Sequence, residues 1–327
     1  VRTVSRAAVA AASVAAGMAH AQPAATPAIT LPPVAITGAA PAPVDSAPPD
    51  ATLAPAPGQT ATSLSRRNWQ NQGAASIGPV LLQSPGVTVA QANGPRDVTV
   101  SLRGSSVRTT FGIRNIQVFE DGFPVTQPDG LSRTDLTDPH AYAGIDVVRG
   151  PSSALYGNYA TRGALFFTTI PGRDAPGLSV GMDGGSFGYA NTYGRLAAAG
   201  ETWQAGLFGS YVRGDGFITH SRYDTATANA LASYDLTPDD RLTLKVIHNS
   251  LDTELPIRLS LNQFNLNPFQ KGCAYAIAPG CATIAVYANG RNGTKVLQTA
   301  NQAELGRHDE RNIVGVRWEH SVDADTI

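Results

Sequence analysis

No strongly apolar run reaches about 18 residues, which excludes a membrane-spanning helix on length but leaves a strand-built span untouched. Charge of either sign is scarce: 24 Lys and Arg against 25 Asp and Glu leave −1 at neutral pH, so no nucleic-acid partner is expected. Methionine is nearly absent, with 2 residues, whereas 33 glycines and 10 each of tyrosine and phenylalanine suit a β protein better than a helical one. Catalytic constellations are missing as well. The 6 histidines are scattered, and the stretch Gly150-Pro151-Ser152-Ser153-Ala154-Leu155-Tyr156-Gly157 lacks a Gly-x-Ser-x-Gly elbow, so no catalytic residue is assigned and an enzyme is not expected.

What is present begins with an export signal. Arg2 and Arg6 give a positive start, Ala7–Gly17 an apolar stretch and Ala19-His20-Ala21 a small-x-small site, predicting a signal peptide over 1–21 cleaved after Ala21. An oxidising destination favours a disulfide between Cys273 and Cys281. A metal site there is the weaker reading, because no His or acidic residue stands at ligand spacing. No metal and no cofactor are expected elsewhere.

From 22 to 60 the chain is rich in Pro, Ala, Thr and Gly and reads as an extended segment without a core. Within it Leu31, Pro32, Pro33, Val34, Ala35, Ile36 and Thr37 form an exception. Two prolines hold the backbone extended, and alternating apolar and β-branched residues can add a strand to a partner's sheet edge.

Residues 61–172 read as a small mixed α/β domain. IGPVLLQSPGVTVA predicts a short helix ended at Pro85-Gly86 and then a strand; DVTVSLRG, NIQVFEDGFPV, GIDVVRGP and ALFFTTIP predict further short strands. Residues 173–327 change to long period-two strands. Ala226, Ala228, Ala230, Ala232 and Tyr234 share one face, and Thr225, Thr227, Asn229, Ser233 and Asp235 the other. Leu242, Leu244 and Val246 stand opposite Arg241, Thr243, Lys245 and Asn249 in the same manner, and Trp203, Ala205, Leu207 and Tyr211, then Val314, Val316 and Trp318, mark two more strands. Short turns alternate with long loops, which suits a transmembrane barrel; a soluble sandwich explains the alternation but not the difference in loop length.

Pro85-Gly86-Val87, Leu102-Arg103-Gly104, Asp121-Gly122 and Ile145-Asp146-Val147-Val148-Arg149-Gly150-Pro151-Ser152-Ser153-Ala154-Leu155-Tyr156-Gly157 occur in series. That series resembles the plug domain of TonB-dependent outer-membrane receptors, and Leu31–Thr37 resembles their TonB box. The resemblance implies a plug carried by Arg103, Gly104, Asp121, Gly122, Arg149, Gly150, Pro151, Leu155, Tyr156 and Gly157, with Arg103 and Arg149 facing acidic residues on the inner barrel wall. It departs from the family after Tyr156. Asn158-Tyr159-Ala160-Thr161-Arg162-Gly163 replaces a glycine pair with bulkier groups where close packing is usual.

The family's ligand contacts come from apical loops, here Ser105–Arg114 and Thr126–Leu131, which offer Arg108, Thr109, Phe111, Gln127 and Asp129 to an anionic chelate. The implied partners are the TonB C-terminal domain, outer-membrane lipid and a small-molecule chelate, most simply a ferric siderophore. Haem, cobalamin, copper or a sugar stay open, as does a passive porin or adhesin with a vestigial plug. About 6 strands precede the end of the sequence, whereas a plug of this size needs a barrel of about 22. The expected fold is therefore a mixed α/β plug followed by the antiparallel strands of an incomplete transmembrane β-barrel.

Overall fold

The computed structural model describes residues 59–91, 96–105 and 112–322. The expected signal peptide and Leu31–Thr37 lie outside these residues. Short strands punctuated by glycine and proline build the first part: β1 (Thr60–Ser65), β2 (Val87–Gln91), β3 (Val98–Leu102), β4 (Ile116–Glu120), β5 (Phe123–Pro124), β6 (Tyr142–Arg149) and β7 (Gly163–Thr169). One five-stranded sheet runs β1-β6-β7-β4-β5, with only the β4–β7 pair parallel, and β2 and β3 form a separate hairpin. The apolar runs of β6 and β7 are covered on both faces, and Ile145, Val147 and Leu165 join Ile77, Leu81, Val100 and Ile116 in the core. Helix α1 (Gly78–Leu81) carries Pro79 in its first turn, and Gly86 beyond it takes φ +75°, which ends the segment and admits β2.

The second part is a six-stranded antiparallel sheet of β8 (Gly177–Gly184), β9 (Ala190–Ala199), β10 (Trp203–Gly214), β11 (Tyr223–Thr237), β12 (Asp240–Glu254) and a last strand after a long loop. Helix α2 (Ser153–Tyr156) belongs to the first part, between β6 and β7, and α3 (Leu261–Leu266), with a Ser260–Gln263 capping box, opens the loop. The loop continues through β13 (Lys271–Gly272), β14 (Cys281–Ala282), β15 (Ile284–Tyr287) and β16 (Lys295–Gln298) before β17 (Gly306–His320). Cys273 and Cys281 are joined by a disulfide inside it. The sheet does not close on itself, its edges being β8 and β17.

Its two faces are those the alternation marks. Leu178, Val180, Met182, Val314, Val316 and Trp318 stand exposed on the outer face, while Thr225, Thr227, Asn229, Thr243, Lys245 and Asn249 are buried against the first domain. Each such apolar side chain forgoes about 1.5–3 kcal/mol by staying uncovered, so an outer face this continuous calls for a lipid contact. Trp203, Tyr234, Leu242 and Trp318 align in one row across four strands at the short-turn end. Trp318 Nε1 donates to Asp240 Oδ1 at 3.0 Å, an apolar ring with a polar tip of the kind that sits at a membrane interface.

Candidate functional site

The inner face of the sheet rises in rows fixed by strand register. From the short-turn end, Gln204, Ser233, Thr243 and Arg317 form one row, then Gly206, Leu231, Lys245 and Gly315, then Phe208, Asn229, Ile247 and Ile313, then Ser210, Thr227, Asn249 and Arg311. Strands of 15 residues reach about 50 Å when extended, well past a bilayer core, so the upper rows near Arg307 lie beneath the long loops.

The β4–β5 turn presses into these rows. Asp121 and Gly122 adopt φ +50° and +80°, and a Cβ at Gly122 would lie 2.1 Å from Arg317 Nη1. Phe123 seats on Gly315, where a Cβ would stand 2.4 Å from its ring, and the Arg317 guanidinium lies 5.4 Å from the Phe123 centroid. Arg317 Nη1 also donates to the Asp121 carbonyl at 3.2 Å.

Beside that turn Lys245, wholly buried, places all three ammonium hydrogens. They reach Asp121 Oδ2 at 2.5 Å, Asn229 Oδ1 at 2.6 Å and Glu120 Oε1 at 3.0 Å. Asn229 Nδ2 donates back to Glu120 Oε1, Tyr142 Oη donates to Oε2 at 3.1 Å, and Thr169 supplies N–H and O–H donors to Asp121 at 2.8 and 2.9 Å. Burial penalises the Glu120 carboxylate, but the nearby Lys245 and Arg311 outweigh that and hold its pKa below the usual carboxylate value. Asn249 Nδ2 ties the Leu136 carbonyl to the wall at 2.9 Å.

Two further contacts clasp the domain nearer the long loops. Asp135 accepts from Arg133 at 2.5 Å and from Arg307 of β17, whose Nε reaches Asp309 at 2.5 Å. His140 offers Nδ1 to Asp138 at 2.7 Å and Nε2 to Asp183 of β8 at 2.9 Å, its ring stacked on Tyr193 of β9 at 3.9 Å. Asn191 donates to the other Asp138 oxygen at 3.1 Å. Burial opposes the Asp138 charge, yet the His140 hydrogen bond and nearby Arg96 lower its pKa to about 2. A carboxylate with a depressed folded-state pKa contributes stability above its unfolded value of 3.8, lost as the pH falls towards about 2. The amount is about 2 kcal/mol. Thermal melts of the detergent-solubilised protein between about pH 5 and about pH 2 should therefore show a shallower acid limb in Asp138→Asn; equal slopes would remove Asp138 from this role.

Among the described residues Arg103 and Arg149 meet hydroxyl groups, and the six strands present bring no wall carboxylate to them. Arg149 donates to Ser84 Oγ at 2.8 Å and Thr62 Oγ1 at 2.7 Å, and Arg103 to Thr60 Oγ1 at 3.0 Å. The domain itself supplies hydroxyl acceptors at both sites, and burial together with the Arg103 charge lowers the Arg149 pKa. The polarity across the interface is largely the reverse: acids Glu120, Asp121 and Asp135 come from the domain and the cations Lys245 and Arg307 from the sheet. Gly104, Gly150 and Gly157 take φ +76°, +115° and +87° at turns, Pro151 follows Gly150, Tyr156 is buried and Leu155 is exposed. Asp129 lies at the surface, 3.5 Å from Arg114, with Gln127 in the same turn through its N–H to the Leu131 carbonyl at 2.9 Å. Arg108, Thr109 and Phe111 lie outside the described residues.

The arrangement is a small mixed domain clamped by buried ion pairs to one face of an open six-stranded antiparallel sheet. Residues 56–164 match the family model of the TonB-dependent Receptor Plug Domain. A hemin receptor from Yersinia pestis is 29% identical over 113 residues, 34% of this chain and 16% of that protein. Among solved structures, FpvA of P. aeruginosa bound to heterologous pyoverdines superposes with a TM-score of 0.54 at 16% identity, covering 81% of this chain and 32% of that one. The ferric yersiniabactin uptake receptor FyuA from Yersinia pestis gives a TM-score of 0.47 at 18% identity, covering 59% and 32%. Residues 56–164 are thus similar to the plug domain of TonB-dependent receptors, and antiparallel strands follow them. The chain spans about a third or less of the length of these relatives.

Proposed function

We propose that this chain is the plug and first wall segment of an energy-coupled importer in the bacterial outer membrane, with the plug, the short-turn end and Leu31–Thr37 turned to the periplasm. The observation that carries this reading is a folded plug docked through buried charges onto the inner face of strands whose outer face is apolar. Such a gate has to be displaced by work, and an extended Pro-flanked strand ahead of it is where a periplasmic partner, the TonB C-terminal domain, can pull by strand addition. The transported solute is an iron chelate, first a ferric siderophore, a reading supported by the sequences of the two loops expected to be apical, in which Arg108, Thr109, Phe111, Gln127 and Asp129 supply a cation and hydrogen-bonding groups. Haem is the second reading, favoured by the hemin receptor relative.

Iron-starved cells carrying the intact receptor, with and without TonB, test the assignment when supplied with radiolabelled ferric siderophores or haem. TonB-dependent accumulation of one of them is expected. Uptake that is indifferent to TonB would replace the importer with a passive pore.

A further inference from the structure

Below the row of Lys245 the plug and the wall separate around a cavity of about 300 Å³. Its plug side is aromatic: Phe119 and Phe166 stack at 5.0 Å and Tyr156 meets Phe166 edge-on at 5.0 Å. Its wall side is polar, with Gln204, Ser233, Thr243 and Arg317 from four strands of one register row. Two buried hydroxyls that line it, Tyr156 Oη and Thr243 Oγ1, have no hydrogen-bond partner among the described residues. Both residues are more than nine-tenths buried, at 7% and 4% exposure, so their unpaired hydroxyls are polar groups set into the walls of a space large enough to hold water.

The cavity stops at the next row. Lys245 fills its position there, held to Glu120 and Asp121, Leu231 of the same row caps the cavity, and the Phe123 ring fills the site left open by Gly315. Above stand Asn229, Ile247 and Asn249, all at 4% exposure or less, with a space of only about 20 Å³ beside Phe208 and Asn229. Space below and close packing above, with a three-donor ammonium at the boundary, are the geometry of a vestibule and its closed door.

We propose that this cavity is a hydrated vestibule open to the periplasm, that solute leaving the receptor passes through it, and that Lys245, acting through Glu120 and Asp121, is the positioning residue that closes its outer end. The orientation and the solute rest on the importer reading above. The closure does not, since it follows from packing and charge alone. Separating Lys245 from its carboxylates exposes buried charge, so water follows the break and widens the path.

Single cysteines introduced into the intact receptor in cells test this, Cys273 and Cys281 being tied in their disulfide and the receptor without an introduced cysteine serving as the labelling blank. A small charged methanethiosulfonate reagent reaching the periplasm should modify Ser233→Cys in the vestibule and spare Thr227→Cys two rows above Lys245. In a Lys245→Met background, modification of Thr227→Cys should rise about tenfold or more, which corresponds to about 1.4 kcal/mol of lost protection. Lys245→Arg should restore part of the protection. Val147→Cys in the plug core should stay unmodified throughout.

Protection of Ser233→Cys overturns the vestibule, and unchanged protection of Thr227→Cys in Lys245→Met overturns the door. Modification of Val147→Cys in that background makes Lys245 a folding residue and overturns the door equally. A bulky thiol adduct at Ser233→Cys should then block uptake with surface binding of the ferric chelate retained; undiminished uptake overturns the exit route. The labelling pattern involves neither ligand nor TonB, so its failure leaves the importer standing, and TonB-independent uptake leaves the vestibule standing.

Discussion

Lys245→Met will cost the plug–wall assembly about 3–5 kcal/mol, the loss expected when one partner of a buried ion pair is removed and its counter-charges remain. The size follows from what is left behind. Glu120, almost wholly buried, and Asp121, at the cavity's edge, would face each other without a counter-cation between them, with Asn229 and Tyr142 unable to neutralise them. By contrast Arg114 and Asp129 are 42% and 57% exposed, and breaking their pair by Arg114→Ala should cost less than about 1 kcal/mol. Thermal midpoints and trypsin susceptibility of the plug in the detergent-solubilised receptor measure both. A Lys245→Met loss no larger than that of Arg114→Ala would show that water already reaches the site. Lys245→Arg keeps the charge but cannot reproduce three convergent short bonds, so an intermediate loss is expected.

The wall was legible because its rule is local. A period of two places every second residue on one face, and the buried or exposed state of Thr225 through Tyr234 follows that period with few departures. Lys245 could be read as inward by the same rule. Its partners could not, because Asp121 lies 124 residues away and nothing in the spacing of either segment specifies the other. The same limit explains the arginines. A buried Arg149 does signal a need for acceptors, but Ser84 and Thr62 meet it only once α1 and the β1–β6 pairing have brought them together. Where the series departs from the family after Tyr156, the bulkier Tyr159 has a seat of its own. Its ring covers Gly130, where a Cβ would lie 2.6 Å away, and its hydroxyl donates to the Pro128 carbonyl, so it braces the loop that carries Gln127 and Asp129.

Deleting Leu31–Thr37 will abolish energised uptake while leaving chelate binding at the cell surface within about twofold of the parent, a difference below about 0.4 kcal/mol. The two effects separate because the segment precedes the plug sheet in the chain and none of the docking contacts described above depends on it. A plug held by several buried charge contacts does not release on binding energy alone. A ligand with a dissociation constant of about 1 µM supplies about 8 kcal/mol, most of it spent on its own contacts, whereas the Lys245 contact alone resists by about 3–5 kcal/mol. Work delivered along an extended strand can open such contacts in sequence. Lowering the resistance should therefore lower the need for the pull: Lys245→Met combined with the deletion should leak more small solute into the periplasm than the deletion alone. Equal leakage would mean that Lys245 plays no part in holding the gate against the pull.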